Sequence, residues 1–288
     1  MRAFIAVAKT GNFSRAAQRI FRTQPSVTVA VRRLERELGA RLFERHGKKT
    51  KLTPAGESLF EETAPLLAGW DRLKDVVVPA TRGKLSGHVR IGAGEAVMLY
   101  LLPKILKSFR RENPEVKFSL FCQRREQTLE MLKAGELDFG VRSMEQAPAW
   151  AAYKPNLAFE RVVVAEKGHA IRKKEKLTLS EIARFPILTG DIFSSTRRIV
   201  EGKLTEAGLG WQVGLEAGGW EVLKRYAREG LGVAVVPNIC LTEEDSKALV
   251  VVRAGHLFGH DRYGIITRRG GEITEAARRI MTRIDPDI

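Results

Sequence analysis

Gln24, Ser26, Thr28, Arg32 and Arg33 lie off an apolar stripe made by Val27, Val31, Leu34 and Leu38, at helical spacing. Amide, hydroxyl and guanidinium groups on a helix can read nucleic-acid base edges. A glutamine pairs bidentately with adenine, an arginine reaches guanine or phosphate, and a hydroxyl serves either. Val29 belongs to the same segment and suits apolar contact with a thymine methyl. Two of these residues have an ordinary alternative. Arg33 stands four residues before Glu37, an ion-pair spacing, and Ser26 can simply support a helix start. The basic run Arg45-His46-Gly47-Lys48-Lys49-Thr50-Lys51 follows, and its Lys48 and Lys49, with Thr53, suit phosphates rather than bases.

Caps and apolar spacing define the elements that carry these groups. Phe4, Val7 and Ala8 begin a helix that Gly11 stops, and Ser14 is the expected N-cap of a short second helix with Ala16, Ala17 and Ile20. Thr23 caps a third, with Pro25 in its first turn, where a missing N–H costs nothing, and Gly39 ends it. Leu42-Phe43 then packs back, and the basic run forms a short hairpin. Two helices joined by a tight turn, the second with a polar N-terminus and followed by a wing, make a DNA-binding plan. Charge agrees. Residues 1–56 hold thirteen lysines and arginines against three glutamates, an excess of ten in a chain of formal net charge +15. A solvated basic face would also account for a lone charge run, but here the excess surrounds the helix pattern.

Ala16-Ala17, Gln24-Pro25-Ser26, Leu34-Glu35, Leu38-Gly39, Leu42-Phe43-Glu44-Arg45, Leu52-Thr53 and Ala55-Gly56 together resemble the N-terminal domain of LysR-type transcriptional regulators. Only three residues precede Phe4, so the resemblance implies a shortened first helix, and Val29 and Ala30 replace polar or basic groups common in relatives.

At 288 residues the chain suits two to three compact units, with 44% hydrophobic residues for their cores. No run approaches a membrane span, and the N-terminus lacks a signal-peptide core, so a cytoplasmic protein is expected. Cys122 and Cys240 both fall in apolar, strand-like surroundings and are read as buried, reduced thiols. Leu59, Phe60, Thr63, Leu66, Leu67, Trp70, Leu73 and Val76-Val77 mark one long amphipathic helix over 54–80, broken by Pro79 and the Thr81-Arg82-Gly83 turn. Its apolar stripe needs a partner surface; the chain's own C-terminal domain is one candidate, while the resemblance implies the same helix of a second subunit, in a homodimer or homotetramer.

From residue 87 strands and helices alternate, which predicts a mainly parallel sheet covered on both faces. The expected fold class is α/β with an N-terminal all-α winged helix-turn-helix. Its effector domain is two-lobed and periplasmic-binding-protein-like, and 218–237 with His256–His260 resembles the cysteine-biosynthesis regulator branch. The boundaries read from the sequence are a winged helix-turn-helix over 1–56, a linker helix over 57–83 and an effector domain over 87–288. In that domain lobe one takes about 87–160 with 268–288, and lobe two about 161–267.

A cleft between lobes lies at the carboxyl ends of strands. Gly94, Glu95 and Ala96 after the first strand, and Thr189, Ser194, Ser195 and Thr196 on lobe two, are its candidates. The three lobe-two hydroxyls after Thr189 serve equally well as ordinary helix caps. Glu95 would repel anions and Ala96 removes a hydroxyl that relatives carry, so a neutral, zwitterionic or partly cationic effector is expected unless Glu95 turns away. The resemblance implies that a metabolite closes this cleft and alters promoter contacts. Gly92-Ala93-Gly94 lacks the third glycine of a dinucleotide fingerprint, Val97 standing there, and His256 with His260 has no third ligand. Neither cofactor nor metal is expected, and no local Ser-His-Asp or Cys-His set supports an enzyme. The competing reading is a solute-binding or enzymatic α/β protein with an appended basic module.

Overall fold

The structure, a computed structural model, describes residues 1–46, 49–82, 85–173, 176–192 and 194–288. Three helices open the chain: α1 (Arg2–Thr10), α2 (Phe13–Arg19) and α3 (Gln24–Leu38). Gly11 and Gly39 end α1 and α3 in the left-handed conformation, and Thr23 accepts from the Ser26 N–H at the start of α3. The N-cap of α2 is Asn12 rather than Ser14, because its carboxamide accepts from both the Ser14 and Arg15 N–H groups. Ala6, Val7, Ala16, Ala17, Val27 and Val31 form the three-helix core. β1 (Phe43–His46) and β2 (Lys49–Leu52) pair antiparallel as the wing. Glu35 sets its angle by accepting from the Leu42 and Phe43 N–H groups at 2.8 and 3.4 Å.

α4 (Pro54–Arg82) then runs 29 residues without interruption. The break expected at Pro79 is absent. A proline removes one backbone hydrogen bond, and in a helix this long, three residues from its end, that loss is local.

The remaining elements are β3 (Gly87–Ala93), a π-helical turn at Val97–Leu101, α5 (Leu102–Glu112), β4 (Val116–Cys122) and α6 (Arg125–Lys133). β5 (Phe139–Arg142), β6 (Ala151–Glu166), α7 (Leu179–Ile182), β7 (Ile187–Thr189), α8 (Ser195–Glu206) and β8 (Val213–Glu216) follow. α9 (Trp220–Arg228), β9 (Val233–Pro237), α10 (Glu243–Ala248), β10 (Leu249–Arg253), α11 (Gly255–Phe258), β11 (His260–Arg268) and α12 (Glu275–Ile284) complete it.

The strand path is β4-β3-β5-β11-β6-β9-β7-β8, with β10 also on β6. It is mixed rather than mainly parallel. β3 with β4 and β5, and β7 with β8 and β9, are parallel, whereas every pairing of β6 and β11 is antiparallel. β6 explains this. At 16 residues it is long enough to traverse both lobes, its first half pairing with β11 and its second with β9 and β10. β11 therefore belongs to the first lobe's sheet through β5, although its sequence position groups it with lobe two. Lobe one packs around Val89, Ile91, Phe109, Phe139 and the α12 residues Ile280 and Met281. Lobe two has separate cores on the two faces of its sheet, one around Val163, Leu204 and Val235, the other around Val164, Leu223 and Val236. Of the cysteines, Cys240 is buried but Cys122, the last residue of β4, is exposed: it shares a face with the core residues Val116 and Phe118 but lies at the strand's far end.

Candidate DNA interface and effector cleft

α3 presents its polar row outward. Gln24, Ser26, Val29, Arg32 and Arg33 are exposed and Thr28 is half-buried. Val29 keeps 66% of its surface in water, an unusual cost for a branched apolar side chain. Gln24 and Thr28 are coupled one turn apart. The Gln24 Nε2 donates to Thr28 Oγ1 at 3.3 Å, and that hydroxyl donates to the Gln24 carbonyl at 3.0 Å. Arg33 donates from Nε to Glu37 Oε1 at 2.9 Å, the ion pair its spacing allowed. Ser26 offers its backbone N–H to the Thr23 cap, leaving its hydroxyl on the surface. Lys49 opens β2 of the wing, and Lys48 lies outside the described residues. Thr53 is engaged in folding: its Oγ1 donates to the Arg41 carbonyl at 2.6 Å and accepts from the Gly56 N–H at 3.1 Å.

Between the lobes lies a cavity of about 930 Å³. Six arginines line it, Arg124, Arg125, Arg142, Arg161, Arg198 and Arg262, against four carboxylates, Glu126, Glu145, Asp191 and Asp261. Part of this charge is spent internally. Arg161, buried on β6, pairs with Asp261 and donates to the Phe258 carbonyl at 2.6 Å, fixing the crossing strands. Arg125 pairs with Glu126 at 3.1 Å, and Arg124 approaches Asp191 of the opposite lobe at 3.9 Å. Arg142 differs. It is buried, its Nη1 donates to the Gln123 carbonyl at 2.9 Å, and it has no ion pair among the described residues. Burial lowers its pKa, but a guanidinium remains charged in proteins. The cavity therefore contains a cation held in place by a neutral carbonyl.

The sequence-derived effector residues divide into four groups. Ser194 and Ser195 line the cavity, and Ser194 is also the N-cap of α8, accepting from the Arg197 N–H at 3.3 Å. Gly94 lies behind Arg142, a Cβ at that position falling 3.1 Å from Nη1. Thr189 and Thr196 are buried beneath the lining, and Ala96 is buried in lobe one. Glu95 meets the exception left open for it, since it turns away from the cavity. Its Oε2 accepts from the Trp220 N–H at 2.9 Å, so its charge is directed to the first turn of α9 on the opposite lobe rather than into the cavity. Gly219, at φ +91°, makes room for it, since a Cβ there would meet both carboxylate oxygens at 3.0 Å.

One turn further along α9, buried Lys224 adds a second tie between lobes. Its Nζ donates to Tyr100 Oη at 2.9 Å, Asp245 Oδ2 at 2.6 Å and the Cys240 carbonyl at 2.6 Å, and pairs with Glu221 at 2.8 Å. Burial opposes this charge, but the bonds to Asp245 and Glu221 outweigh it and hold the ammonium above the usual lysine value.

Sequence reasoning missed the arginines. Arg124 and Arg125 follow β4 after one intervening residue and Arg142 ends β5, both at carboxyl ends of parallel strands. The rule that selected Gly94–Ala96 after β3 applies to all three strands, so applying it beyond the first would have found them.

A winged helix-turn-helix joined by one long helix to a two-lobed cavity defines a class of protein, the ligand-responsive DNA-binding regulators. Residues 1–57 match the family described as "Bacterial regulatory helix-turn-helix protein, lysR family", and residues 82–285 match "LysR substrate binding domain". The chain belongs to the LysR family of transcriptional regulators. It is 28% identical to the HTH-type transcriptional regulator SsuR of Burkholderia cenocepacia, over 98% of this chain and 92% of that one. It is 30% identical to the HTH-type transcriptional regulator CbbR of Rhodospirillum rubrum, over 98% and 93%. Among solved structures, a full-length OxyR variant from Pseudomonas aeruginosa aligns with a TM-score of 0.76 at 22% identity, covering 98% of this chain and 92% of that one. Full-length CbnR complexed with its target DNA aligns at 0.62 and 20%, covering 97% and 98%. Among the described residues no helix is long and apolar enough to cross a membrane, and no cluster of three metal-ligating side chains occurs.

Proposed function

We propose that this regulator grips promoter DNA as a dimer through α3 and the wing, and that an anionic small molecule in the interlobe cavity modulates the grip. In this reading residues 1–56 bind DNA, α4 joins the subunits and the two lobes hold the effector. Gln24, Thr28, Val29 and Arg32 supply base contacts, and Lys48, Lys49 and the surrounding wing meet phosphates. CbnR, a fold neighbour, has been solved on its target DNA, which supports the same use of α3 here. Leu66, Trp70 and Leu73 stay exposed along α4, an apolar face suited to a second copy. The role is regulatory rather than enzymatic, and the place of action is the cytoplasm, in keeping with the regulators it is similar to.

The observation that carries the effector class is Arg142, a buried cation in the cavity whose hydrogen-bond partner is a carbonyl rather than a carboxylate, with Glu126 acting on it only through space. The expectation of a neutral, zwitterionic or partly cationic ligand rested on Glu95, which faces α9 instead, and on Ala96, which is buried in lobe one. Calorimetry of the full chain with sulfate, phosphate and malonate tests this. At least one of these should bind, and Arg142→Ala should weaken it tenfold or more. Binding of none, or equal binding by Arg142→Ala, overturns the effector class. For the DNA face, Gln24→Ala should lose discrimination at one operator base pair by about 1–3 kcal/mol. Equal losses on every single-base variant refute base reading there.

A further inference from the structure

A second cavity, of about 860 Å³, lies away from the interlobe cleft, where α1, the α2–α3 turn, α3, α4 and lobe one meet. Its floor is apolar: Ile5 and Ala6 from α1, Leu67 and Ala68 from α4, and Phe121 and Met131 from lobe one. Its basic lining comprises Arg2 and Arg90, which have partners of their own, Arg19 and Arg22 at the rim, and Lys9, which pairs with Glu136. That pair and Lys133–Glu61 hold the DNA-binding unit and α4 against the end of α6. Gly135 permits the approach, for at φ +69° its Cβ would stand 3.2 Å from that of Ala68.

Phe21 is the second observation. It is the one non-glycine residue among those described with positive φ, at 55°, and it keeps 95% of its surface in water on the rim of this cavity. A large aromatic ring held in a disfavoured backbone conformation, with nothing packed on it, is an unsatisfied apolar surface beside a ring of cations. Ser26 and Ala30 of α3 line the same space, next to the residues that face DNA.

We infer that this junction is a second ligand site, taking an amphiphilic organic anion whose apolar or aromatic body rests on the floor under Phe21 and whose acidic head meets Arg19 and Arg22. Volume and composition fit a small organic ligand, since such sites are mostly apolar with a few polar groups to orient the occupant. A ligand wedged here touches α1, α3, α4 and lobe one at once, so it changes the angle at which α3 is presented. It is an input to DNA affinity separate from the interlobe cleft.

The probe is 1-naphthalenesulfonate, titrated calorimetrically into the full chain. One site per protomer is expected, weakened at least tenfold by Ala68→Phe, which fills the floor, and by Phe21→Asn, which suits the left-handed turn but removes the ring. Arg142→Ala, in the other cavity, should leave it within twofold. The probe should also shift operator affinity of the wild type at least threefold and not that of Ala68→Phe. Absence of binding, binding untouched by Phe21→Asn and Ala68→Phe, or binding abolished by Arg142→Ala each overturns the inference. The last outcome would place the probe in the interlobe cleft and leave the proposal for that cleft standing. If Ala68→Phe does not fold, Phe21→Asn decides alone.

Discussion

Replacing Glu95 by alanine should loosen the first turn of α9 and, with it, one tie between the lobes. The carboxylate accepts from the Trp220 N–H at 2.9 Å, one of the helix-start donors with no partner inside the helix. A hydrogen bond to a charged group contributes about 1.5–3 kcal/mol, and a negative charge at a helix N-terminus about 0.3–1 kcal/mol. Glu95 is half-buried, so water replaces part of the lost bond and brings the effect to the low end of the combined range or just under it. About 1.5–2 kcal/mol remains, which is roughly ten- to thirtyfold in a local opening equilibrium. Hydrogen exchange read at the Trp220, Glu221 and Val222 amides measures this opening without requiring the whole chain to unfold in one step. Protection at Trp220 should fall by that factor in Glu95→Ala and by much less in Glu95→Gln, which keeps an acceptor oxygen. Unchanged exchange at Trp220 in Glu95→Ala would refute the capping role. The same pair of variants separates the two views of the cleft. A carboxylate facing the cavity would repel an anion, so Glu95→Gln would raise sulfate affinity tenfold or more. With Glu95 turned onto α9, the change should stay under threefold.

Asn12→Ala should destabilise the DNA-binding unit by about 1 kcal/mol, because the carboxamide caps two N–H groups of α2; Ser14→Ala should cost less than half as much in the same urea titration. Lys224→Met leaves Asp245 and Glu221 without their cation and should cost about 2–3 kcal/mol, the low side for a broken buried pair since Glu221 is half exposed. Lys224 has a raised pKa, so its contribution is complete below the ordinary lysine value of 10.5 and fades as pH climbs past it. Asp245 has a lowered pKa, so its share holds above 3.8 and fades in acid. The penalty of Lys224→Met, followed by denaturation across pH, should therefore shrink at both extremes, and a penalty constant with pH would count against the pair. Lys49→Ala should weaken binding to all operator variants about equally and reduce the slope of log affinity against log salt by about 0.9. A loss confined to one sequence would contradict a phosphate role for the wing.

What the sequence determined by itself is local. Gly11 and Gly39 stop helices because only a left-handed residue closes those ends, and Thr23 with Pro25 starts α3, since caps and first turns depend on neighbours within four residues. The polar row Gln24 to Arg33 was legible for the same reason: one helix presents it, and Val27 and Val31 show which face is buried. Even there, competition between two nearby caps, Asn12 and Ser14, was settled only by which side chain reaches two N–H groups. The effector cleft is a matter of tertiary structure. Arg124 and Arg142 come from different strand ends of lobe one, Arg161 from a strand that crosses both lobes, and Ser195 from lobe two, so no spacing along the chain brings them together. The direction of Glu95 depends on Trp220, 125 residues away, and on Gly219 leaving room for a carboxylate. The placement of β11 in lobe one likewise follows from β6 being long enough to pair in both sheets. Caps and stripes are decided by residues that are near in sequence, whereas the charge of a cleft is decided by which distant side chains the fold turns toward it and which it pairs elsewhere.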